Sequence, residues 1–350
     1  MKIFIVGRGH YTLNFIYALD NKYEINLITT DKTDYVQYIS KVKKYFLIDY
    51  NSELEYVKQI KDIASNNLVI PIGEEGIIIE KILNLHPEID INLFCSTSKT
   101  NIKYYYHNKR NFYDLLKKLK IDYLFYENIL NVEYDNYLLK PIYSRGGLKQ
   151  IKINNKEEFK KLKCNNDIQK DYLVQKYIDI KSEYSVFLYA NNGIIKGYLT
   201  YQTFDMISGF STRRKIIKND KIYDMILKII SHLSYSGFAG FDIISDGFNL
   251  YIVDFNPRIV NGISFLKSNS FDFDNNFEIY TNEMISLIPY LYKNPKKCIN
   301  ILNISNDMFK NFKDSIIIIF VLIYNYIVYV LIYNKNVTKL LENNIITCNN

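Results

Sequence analysis

The 350-residue sequence has no tryptophan, six prolines, 13 glycines and only four cysteines. Thirteen glycines are few, because an average chain has about 7% glycine, and a glycine-rich fibre or linker array is therefore excluded. The four cysteines lie far apart and form no C-x-x-C pair. This spacing argues against a zinc ribbon and a disulfide scaffold, and it indicates a reducing, cytoplasmic compartment.

Apolar side chains, by contrast, make up 48% of the residues. General disorder is therefore excluded, and the length is enough for two or three packed domains. Basic residues outnumber acidic ones by 44 to 37, a modest net charge of +7. They cluster at residues 99–110 and 117–120 without matching an RNA-binding motif, so we expect no nucleic-acid partner. An anionic small ligand such as a nucleotide would benefit from the positive field.

One long uncharged run lies at residues 315–334, with lysines on both sides. Twenty residues at about 1.5 Å each would just cross a hydrocarbon core of about 30 Å, which is typical of a C-terminal membrane anchor. The many tyrosines and β-branched residues of this run are also typical of a buried strand pair or core helix. Both interpretations stay open, so the expected location is cytoplasmic, with or without a membrane tether.

The first hundred residues alternate short apolar strands with helical segments, which predicts a parallel, doubly wound α/β sheet. Glycine clusters follow two of these strands, and ligands of such sheets bind at the carboxyl ends of strands. The first cluster, Gly7-x-Gly9, resembles a dinucleotide-binding turn, but Thr12 stands where the third glycine would be. A plain tight turn is therefore the favoured interpretation.

The second half of the chain changes to an α+β pattern with antiparallel pairs. Asn192-Gly193 between two apolar runs predicts a two-residue hairpin turn. Residues 209–215 are expected to lie between this hairpin and an amphipathic helix. They include Arg213 and Arg214, either of which could pair with a substrate carboxylate. A basic surface turn is the alternative for this segment, and Ser264 is a second candidate for substrate contact.

The sharpest motif is Asp254-Phe255-Asn256-Pro257-Arg258 at the end of an apolar strand. Asp254, Asn256 and Arg258 share one face of the strand by its period of two. Hard oxygen ligands suit magnesium, and the arginine fork suits a phosphate or carboxylate. Asp242 joins this face only in one hairpin register, for which we predict a three-residue loop, 246–248, with a glycine bulge.

Two further segments add phosphate and base contacts. Lys140 ends an apolar strand and is followed by a short loop with Ser144, Gly146 and Gly147, whose backbone amides can wrap phosphate. Later in the chain, an extended segment can read an adenine edge, and the carboxylate of Glu183 can take ribose hydroxyls. The residues of that segment are Gln175, Lys176, Tyr177 and Ile178.

Taken in this order, the motifs resemble the ATP-grasp superfamily, in particular the carbamoyl-phosphate-synthetase and biotin-carboxylase-like carboxylate–amine ligases. The resemblance covers roughly residues 1–290. It implies a Rossmann-like domain at 1–105 and a two-subdomain ATP-grasp fold at 106–290, with a lid subdomain at about 113–172. Residues 291–350 would then form a C-terminal tail.

The resemblance also implies roles for these residues. Lys109 and Lys140 would bind ATP, together with the loop, hinge and ribose residues. Asp242, Asp254 and Asn256 would bind Mg²⁺ or Mn²⁺, and Arg258 and Lys140 would act in catalysis. This sequence departs from the family at three places. Asp254 and Asp242 replace the usual glutamates among the metal ligands, Gln175-Lys176 replaces the more common acidic residue at the hinge, and the lid is short, with two glycines instead of three or four.

The function expected from this resemblance is ATP- and Mg²⁺-dependent ligation. A substrate carboxylate is activated as an acyl phosphate, which an amine then attacks. Two alternatives stay open at this point: an ATP-grasp phosphotransferase that releases the phosphorylated product, and a nucleotide-binding protein without turnover. The expected partners are a small-molecule carboxylate and a small-molecule amine.

Overall fold

The computed structural model describes residues 1–94, 102–126, 129–133, 136–143, 149–153, 155–207, 210–273, 277–279 and 283–285. Ser144, Gly146, Gly147 and the run 315–334 lie outside this set. In the part that is described, no helix is long and apolar enough to cross a membrane. Two units can be distinguished: unit 1 holds residues 1–101 and the chain from Arg258 onward, and unit 2 holds Ile102–Pro257.

In chain order, the helices and strands are β1 (Lys2–Val6), α1 (Gly9–Ala18), β2 (Glu24–Thr29), β3 (Val42–Leu47), α2 (Glu53–Ala64), β4 (Leu68–Pro71), α3 (Glu75–Leu85), α4 (Ile102–His107), α5 (Lys109–Lys118), β5 (Phe125–Tyr126), β6 (Tyr137–Pro141), β7 (Ile151–Lys152), α6 (Lys156–Lys163), α7 (Asn166–Asp171), β8 (Tyr172–Lys176), β9 (Ser182–Asn191), β10 (Ile194–Ile207), β11 (Phe210–Ile217), α8 (Asp220–His232), β12 (Gly237–Ser245), β13 (Leu250–Asn256) and β14 (Glu283–Ile285).

Unit 1 contains a parallel sheet in the order β3-β2-β1-β4, flanked by helices, and this confirms the predicted doubly wound α/β architecture. The continuous apolar run of β1 is buried on both faces, as a strand covered by helices requires. Helix α2 begins at a capping box in which the Ser52 hydroxyl accepts a hydrogen bond from the Glu55 amide at 3.2 Å.

The glycine turn after β1 is closed by a carboxylate of the same unit. The Gly9 amide, at the start of α1, donates to Asp34 Oδ1 at 3.2 Å, and the Val36 amide donates to the same oxygen at 3.2 Å. A side chain at Gly7 would bring its Cβ within 2.8 Å of Thr12 Oγ1, so the glycine there allows close packing. These contacts agree with a plain tight turn, because an amide that could bind a phosphate donates to Asp34 instead.

Unit 2 is built from two antiparallel sheets, which confirms the predicted α+β pattern. The strands of the larger sheet that belong to this unit run in the order β13-β12-β9-β10-β11, and the smaller sheet has the order β5-β8-β6-β7. Apolar faces of α5 and α8 form one core with the larger sheet, in which Phe112, Ile226 and Phe241 are buried. This packing fixes the N-terminus of α5 in unit 2.

Two hairpin predictions had different outcomes. Asn192 and Gly193 both have positive φ angles, 47° and 78°, as a two-residue turn between β9 and β10 requires, so that prediction is confirmed. The segment 209–215 lies between the hairpin and helix α8 as expected, but the alternative of a basic surface turn is wrong, because residues from 210 onward belong to strand β11, paired with β10. The strand was not predicted because Arg213-Arg214-Lys215 are three consecutive charged residues, without the alternation of apolar and polar residues by which strands are recognised.

Candidate functional site

The site begins with two carboxylates that face each other on neighbouring strands. Asp242 of β12 is directly opposite Asp254 of β13, and Gly240 is opposite Asn256. Residues directly opposite in an antiparallel pair share a face, so the predicted grouping of Asp242, Asp254 and Asn256 on one face is confirmed.

The reason for this register differs from the prediction. The strands close at the pair Ser245–Leu250, so the loop has four residues, 246–249, and the predicted three-residue loop is wrong. A regular ladder from this pair would set Asp242 opposite Val253 and turn Asp254 to the other face. A β-bulge at Val253, which has no opposite residue, shifts the register by one and brings the two aspartates together.

Asp242 is held from both sides. The Ser185 hydroxyl donates to Asp242 Oδ1 at 2.9 Å, and the Asn256 amide nitrogen donates to Asp242 Oδ2 at 3.2 Å. Ser185 is the residue of β9 directly opposite Asp242. It was not among the predicted site residues, although a serine two positions after Glu183 on the same strand points to the same face. Because the Asn256 nitrogen donates to Asp242, its amide oxygen is the atom that it can offer to a cation.

Two buried lysines complete this group. Lys109, the first residue of α5, has its Nζ 3.3 Å from Asp254 Oδ1. Lys140 of β6 is 7% exposed, and its ammonium lies 5.5 Å from the centre of the Phe125 ring. Burial lowers the pKa of Lys140; the charges of Asp254 and Asp242 oppose this shift, and that of Lys109 adds to it. Two mutually repelling cations in a buried place favour the binding of an anion.

The donor set fits a magnesium–polyphosphate ligand. Two aspartates and an amide oxygen are hard donors of the kind that Mg²⁺ takes, and it usually completes its shell with water and substrate phosphate oxygens. The lysines would meet the remaining phosphate charge. Within the described residues, no group of three His, Cys, Asp or Glu side chains forms an all-protein metal site. A metal at Asp242 and Asp254 would therefore depend on the ligand for part of its coordination.

The predicted hinge lies at the end of β8. The amides of Lys176 and Tyr177 donate to the carbonyls of Leu124 and Asn136, each at 2.8 Å, while no hydrogen bond from the Ile178 amide is found among the described residues. Both Lys176 and Tyr177 have exposed side chains, and Lys152 Nζ lies 4.1 Å from the centre of the Tyr177 ring. The hinge can therefore offer a backbone donor at Ile178.

Gln175, just before the hinge, is 5% exposed, and its amide oxygen has no hydrogen-bond partner among the described residues. A buried acceptor without a donor costs about 1–3 kcal/mol. In the β6–β8 pair, Gln175 is opposite Leu138 and Lys140 is opposite Leu173, so Gln175 and Lys140 share a face. An unsatisfied amide thus lies on the side of the sheet that presents the buried lysine.

The structure separates the two arginines of β11. Arg214 is opposite Thr203 of β10, and Thr203 is opposite Glu183 of β9. Because residues opposite one another share a face, Arg214 and Glu183 lie on the same face of the larger sheet. Asp242 lies on that face too, since it is opposite Ser185, two residues after Glu183. Arg214 is buried, whereas Arg213 is exposed, with its guanidinium 5.9 Å from the centre of the Phe204 ring. Of the two candidates, Arg214 is the one that the register brings to the face of the predicted ligand.

Arg258 and Ser264 are placed in unit 1. Arg258 Nε lies 3.1 Å from Glu74 Oε1, and its guanidinium is 6.0 Å from the centre of the Tyr11 ring. Ser264 is fully buried, and its hydroxyl donates to the Asn261 carbonyl at 2.7 Å within a 3₁₀ turn. That hydrogen bond gives Ser264 a local structural role, and no role in substrate binding is proposed for it.

Comparison with known proteins agrees with this geometry. Residues 106–262 match the model of the ATP-grasp domain. Residues 106–262 of this chain therefore form an ATP-grasp domain. An uncharacterized protein of Methanocaldococcus jannaschii is 28% identical over 132 residues, which span 37% of this chain and only 32% of that relative.

Solved structures show the same ATP-grasp fold. N5-carboxyaminoimidazole synthetase from Staphylococcus aureus, complexed with ADP, has a TM-score of 0.65 at 15% identity, with 85% of each chain covered. The biotin carboxylase of Campylobacter jejuni, as a β,γ-ATP complex, has a TM-score of 0.60 at 12% identity, with 74% of this chain and 66% of that chain covered. The predicted fold class, a Rossmann-like parallel sheet followed by an ATP-grasp fold, is therefore confirmed.

Proposed function

We propose that this protein is an ATP- and Mg²⁺-dependent ligase that activates a substrate carboxylate as an acyl phosphate and joins it to an amine. The observation that supports this most is the group of two buried lysines and two facing aspartates in the ATP-grasp domain, Lys109, Lys140, Asp242 and Asp254. Such a group offers two ammonium groups for phosphate oxygens and two carboxylates for Mg²⁺.

The chemistry follows from where the charges lie. The substrate carboxylate attacks the γ-phosphorus of ATP, the bond from that phosphorus to the β–γ bridging oxygen breaks, and ADP leaves. Lys109 and Lys140 would bind phosphate oxygens and stabilise the charge that moves to ADP. Bound Mg²⁺, held by Asp242, Asp254 and Asn256, would neutralise phosphate charge. Arg258 is proposed to stabilise the transferring phosphoryl oxygens.

In the second step, the amine nitrogen attacks the acyl carbon, the bond from carbon to the phosphate oxygen breaks, and inorganic phosphate leaves as the nitrogen loses a proton. This step needs the acyl phosphate to be protected from water. The loop with Ser144, Gly146 and Gly147 is proposed to bind phosphate in this role, and it lies outside the described residues.

The adenine and ribose of the nucleotide are proposed to bind at the hinge. Residues Gln175, Lys176, Tyr177 and Ile178 are proposed to bind the adenine, and Glu183 to take the ribose hydroxyls. On the substrate side, buried Arg214 is preferred over exposed Arg213 as the partner of a substrate carboxylate, since it shares a face with Glu183.

A substrate screen tests the proposal. The full chain is mixed with ATP, Mg²⁺ and pairs of carboxylic acids and amines, including amino acids, and phosphate release and product masses are measured. The ligase predicts phosphate release and an amide product only when both an acid and an amine are present. A phosphorylated acid as the released product would instead favour a phosphotransferase, and no ATP consumption with any pair would favour a non-catalytic ATP-binding protein.

A further inference from the structure

We infer that the acid activated by this protein is an α-amino acid, and that Glu74 and Arg258 of unit 1 bind its ammonium and its carboxylate. The inference rests on the proposed function, because it assumes that a carboxylate is activated with ATP. It deepens that function by naming the class of the acid and by assigning the selection of that class to Glu74.

The first argument is the position of these residues in the parallel sheet. Strands β2 and β3 lie on one side of β1 and strand β4 lies on the other, and ligands of such sheets bind outside the carboxyl ends of the strands at this change of direction. The Ile72 amide donates to the Val6 carbonyl at 2.9 Å, which holds the carboxyl ends of β4 and β1 side by side. Glu74 follows β4 immediately before α3, and Tyr11 follows β1 in the first turn of α1.

The second argument is the direct contact of two opposite charges at this point. Arg258 Nε lies 3.1 Å from Glu74 Oε1, and the two side chains are 12% and 17% exposed, so neither is closed off from a small ligand. The guanidinium lies over the ring of Tyr11. In an α-amino acid, the ammonium and the carboxylate are bonded to the same carbon atom, so its two charges are also close together. Such a ligand matches this pair charge for charge.

The third argument is charge balance. An acid without an amino group would be attracted by Arg258 but repelled by Glu74, and it would compete with Glu74 for its cation in a mostly buried place. An α-amino acid brings one charge of each sign, so its carboxylate can meet the guanidinium while its ammonium meets the Glu74 carboxylate. A phosphate is less suited to these strand ends, because the Gly9 amide at the start of α1 donates to Asp34.

Arg258 connects this pair to the activation step. It comes two residues after Asn256, one of the proposed metal ligands, so a carboxylate bound by Arg258 is close to the end of β13. The transferring phosphoryl group joins that carboxylate, so Arg258 keeps its proposed role towards the phosphoryl oxygens. The carboxylate proposed to pair with Arg214 is a different one, since Arg214 belongs to unit 2. Glu74 then selects and orients the acid without binding ATP.

The experiment traps the acyl phosphate with hydroxylamine. The hydroxylamine nitrogen attacks the acyl carbon and loses a proton, inorganic phosphate leaves, and the hydroxamate that forms is measured by its mass. The full chain is mixed with ATP, Mg²⁺ and hydroxylamine. Each L-amino acid is compared with the carboxylic acid that has the same side chain but a hydrogen in place of the amino group. The best amino acid should have a kcat/KM about tenfold or more above that of its deaminated counterpart, as expected for one charged contact.

Glu74→Gln tests the residue itself, because it keeps the shape of the side chain but removes its charge. It should lower the ratio of the two kcat/KM values about tenfold, with the affinity for ATP unchanged. The control Glu55→Gln, on α2 of the same unit and 56% exposed, should keep the ratio of the wild type.

The outcomes separate the inference from the proposed function. Hydroxamates formed by the wild type from deaminated acids as readily as from amino acids would overturn the inference and leave the proposed function intact, whether or not the variant folds. An unchanged ratio in Glu74→Gln would do the same. No hydroxamate and no phosphate release with any acid would contradict both.

Discussion

The glycine turn of unit 1 and the lysine–aspartate group of unit 2 both gather polar groups at strand ends, but they satisfy them differently. In unit 1, Asp34 Oδ1 accepts two backbone amides, while its Oδ2 is buried without a hydrogen-bond partner among the described residues. Burial raises the pKa of Asp34 to about 7, so that the carboxyl can lose its charge by taking up a proton. In unit 2, Lys109 and Lys140 are buried beside two carboxylates, those of Asp254 and Asp242, and the Gln175 oxygen has no partner among the described residues.

This difference separates a structural motif from a binding motif. The glycine spacing of unit 1 resembles a nucleotide-binding turn in the sequence, yet its helix amide donates to a carboxylate of the protein. The motif of unit 2 contains no glycine-rich nucleotide signature in the described residues, yet it gathers two buried lysines and two aspartates, for which we propose a magnesium–nucleotide ligand. Buried lysines and aspartates gathered in one place are the better indicator of a ligand site.

The largest effect on ATP-dependent turnover is expected when the charge of Lys140 in unit 2 is removed. Lys140→Met keeps the length of the side chain but removes its charge, and we expect ATP-dependent turnover to fall by about 10²–10³-fold, as when one stabilising donor is removed from an active site. Circular dichroism should show an unchanged fold. The matched control is Lys161→Met, on the exposed face of α6, which should keep full activity. Equal turnover in the two variants would remove Lys140 from the site.

A second effect tests the burial of Asp34 in unit 1. The pKa of Asp34 is raised from 3.8 to about 7 in the folded chain, so between about pH 4 and pH 7 the folded state holds a proton that the unfolded state has lost. Stability must therefore fall as the pH rises through this window, by roughly 3–4 kcal/mol from this group alone, and then level off.

Urea unfolding at several pH values checks this expectation against Asp34→Asn, which cannot titrate. The free energy of unfolding of the wild type, minus that of the variant, should decrease from pH 4 to pH 7. A difference that stays constant, or that rises with pH, would show that Asp34 is already ionised at low pH and that burial does not control it.

The smallest effect concerns the orientation of Asp242. Ser185→Ala removes the hydroxyl that donates to Asp242 Oδ1, and we expect the apparent affinity for Mg²⁺ in the presence of ATP to fall about tenfold, the lower range for lost outer-shell contacts to metal ligands. Titration of Mn²⁺ followed by electron paramagnetic resonance measures this without turnover. The control Ser182→Ala lies three residues earlier on β9 and points to the other face. The same affinity in both variants would contradict a positioning role for Ser185.

Much of the fold could be predicted because local patterns determine it. Continuous apolar strands predicted the parallel sheet of unit 1, and Asn192-Gly193 predicted the β9–β10 hairpin of unit 2 because both positions need positive φ angles. The shared face of Asp242 and Asp254 was predicted correctly but for the wrong reason, since a β-bulge at Val253 and not a three-residue loop brings the two aspartates together, and no local sequence signal marks that bulge.

The site was less predictable for the same reason. Arg213 and Arg214 are equivalent in the sequence, and only the pairing of β10 with β11 decides which one is buried. Ser185 has no motif of its own and becomes relevant only because β9 lies beside β12. Which residue stands opposite which is set by strand order, and strand order is a long-range property of the chain.

The central claim, that the lysine–aspartate group of unit 2 binds a magnesium–nucleotide, is tested most directly by calorimetric titration of ATP into the full chain with and without Mg²⁺. The account predicts saturable binding at one site that is tighter with Mg²⁺. Asp254→Asn should lose the gain from Mg²⁺ while still binding free ATP, because the lysines remain. The claim would be contradicted by equal affinities with and without Mg²⁺ in the wild type, or by a full gain from Mg²⁺ in Asp254→Asn.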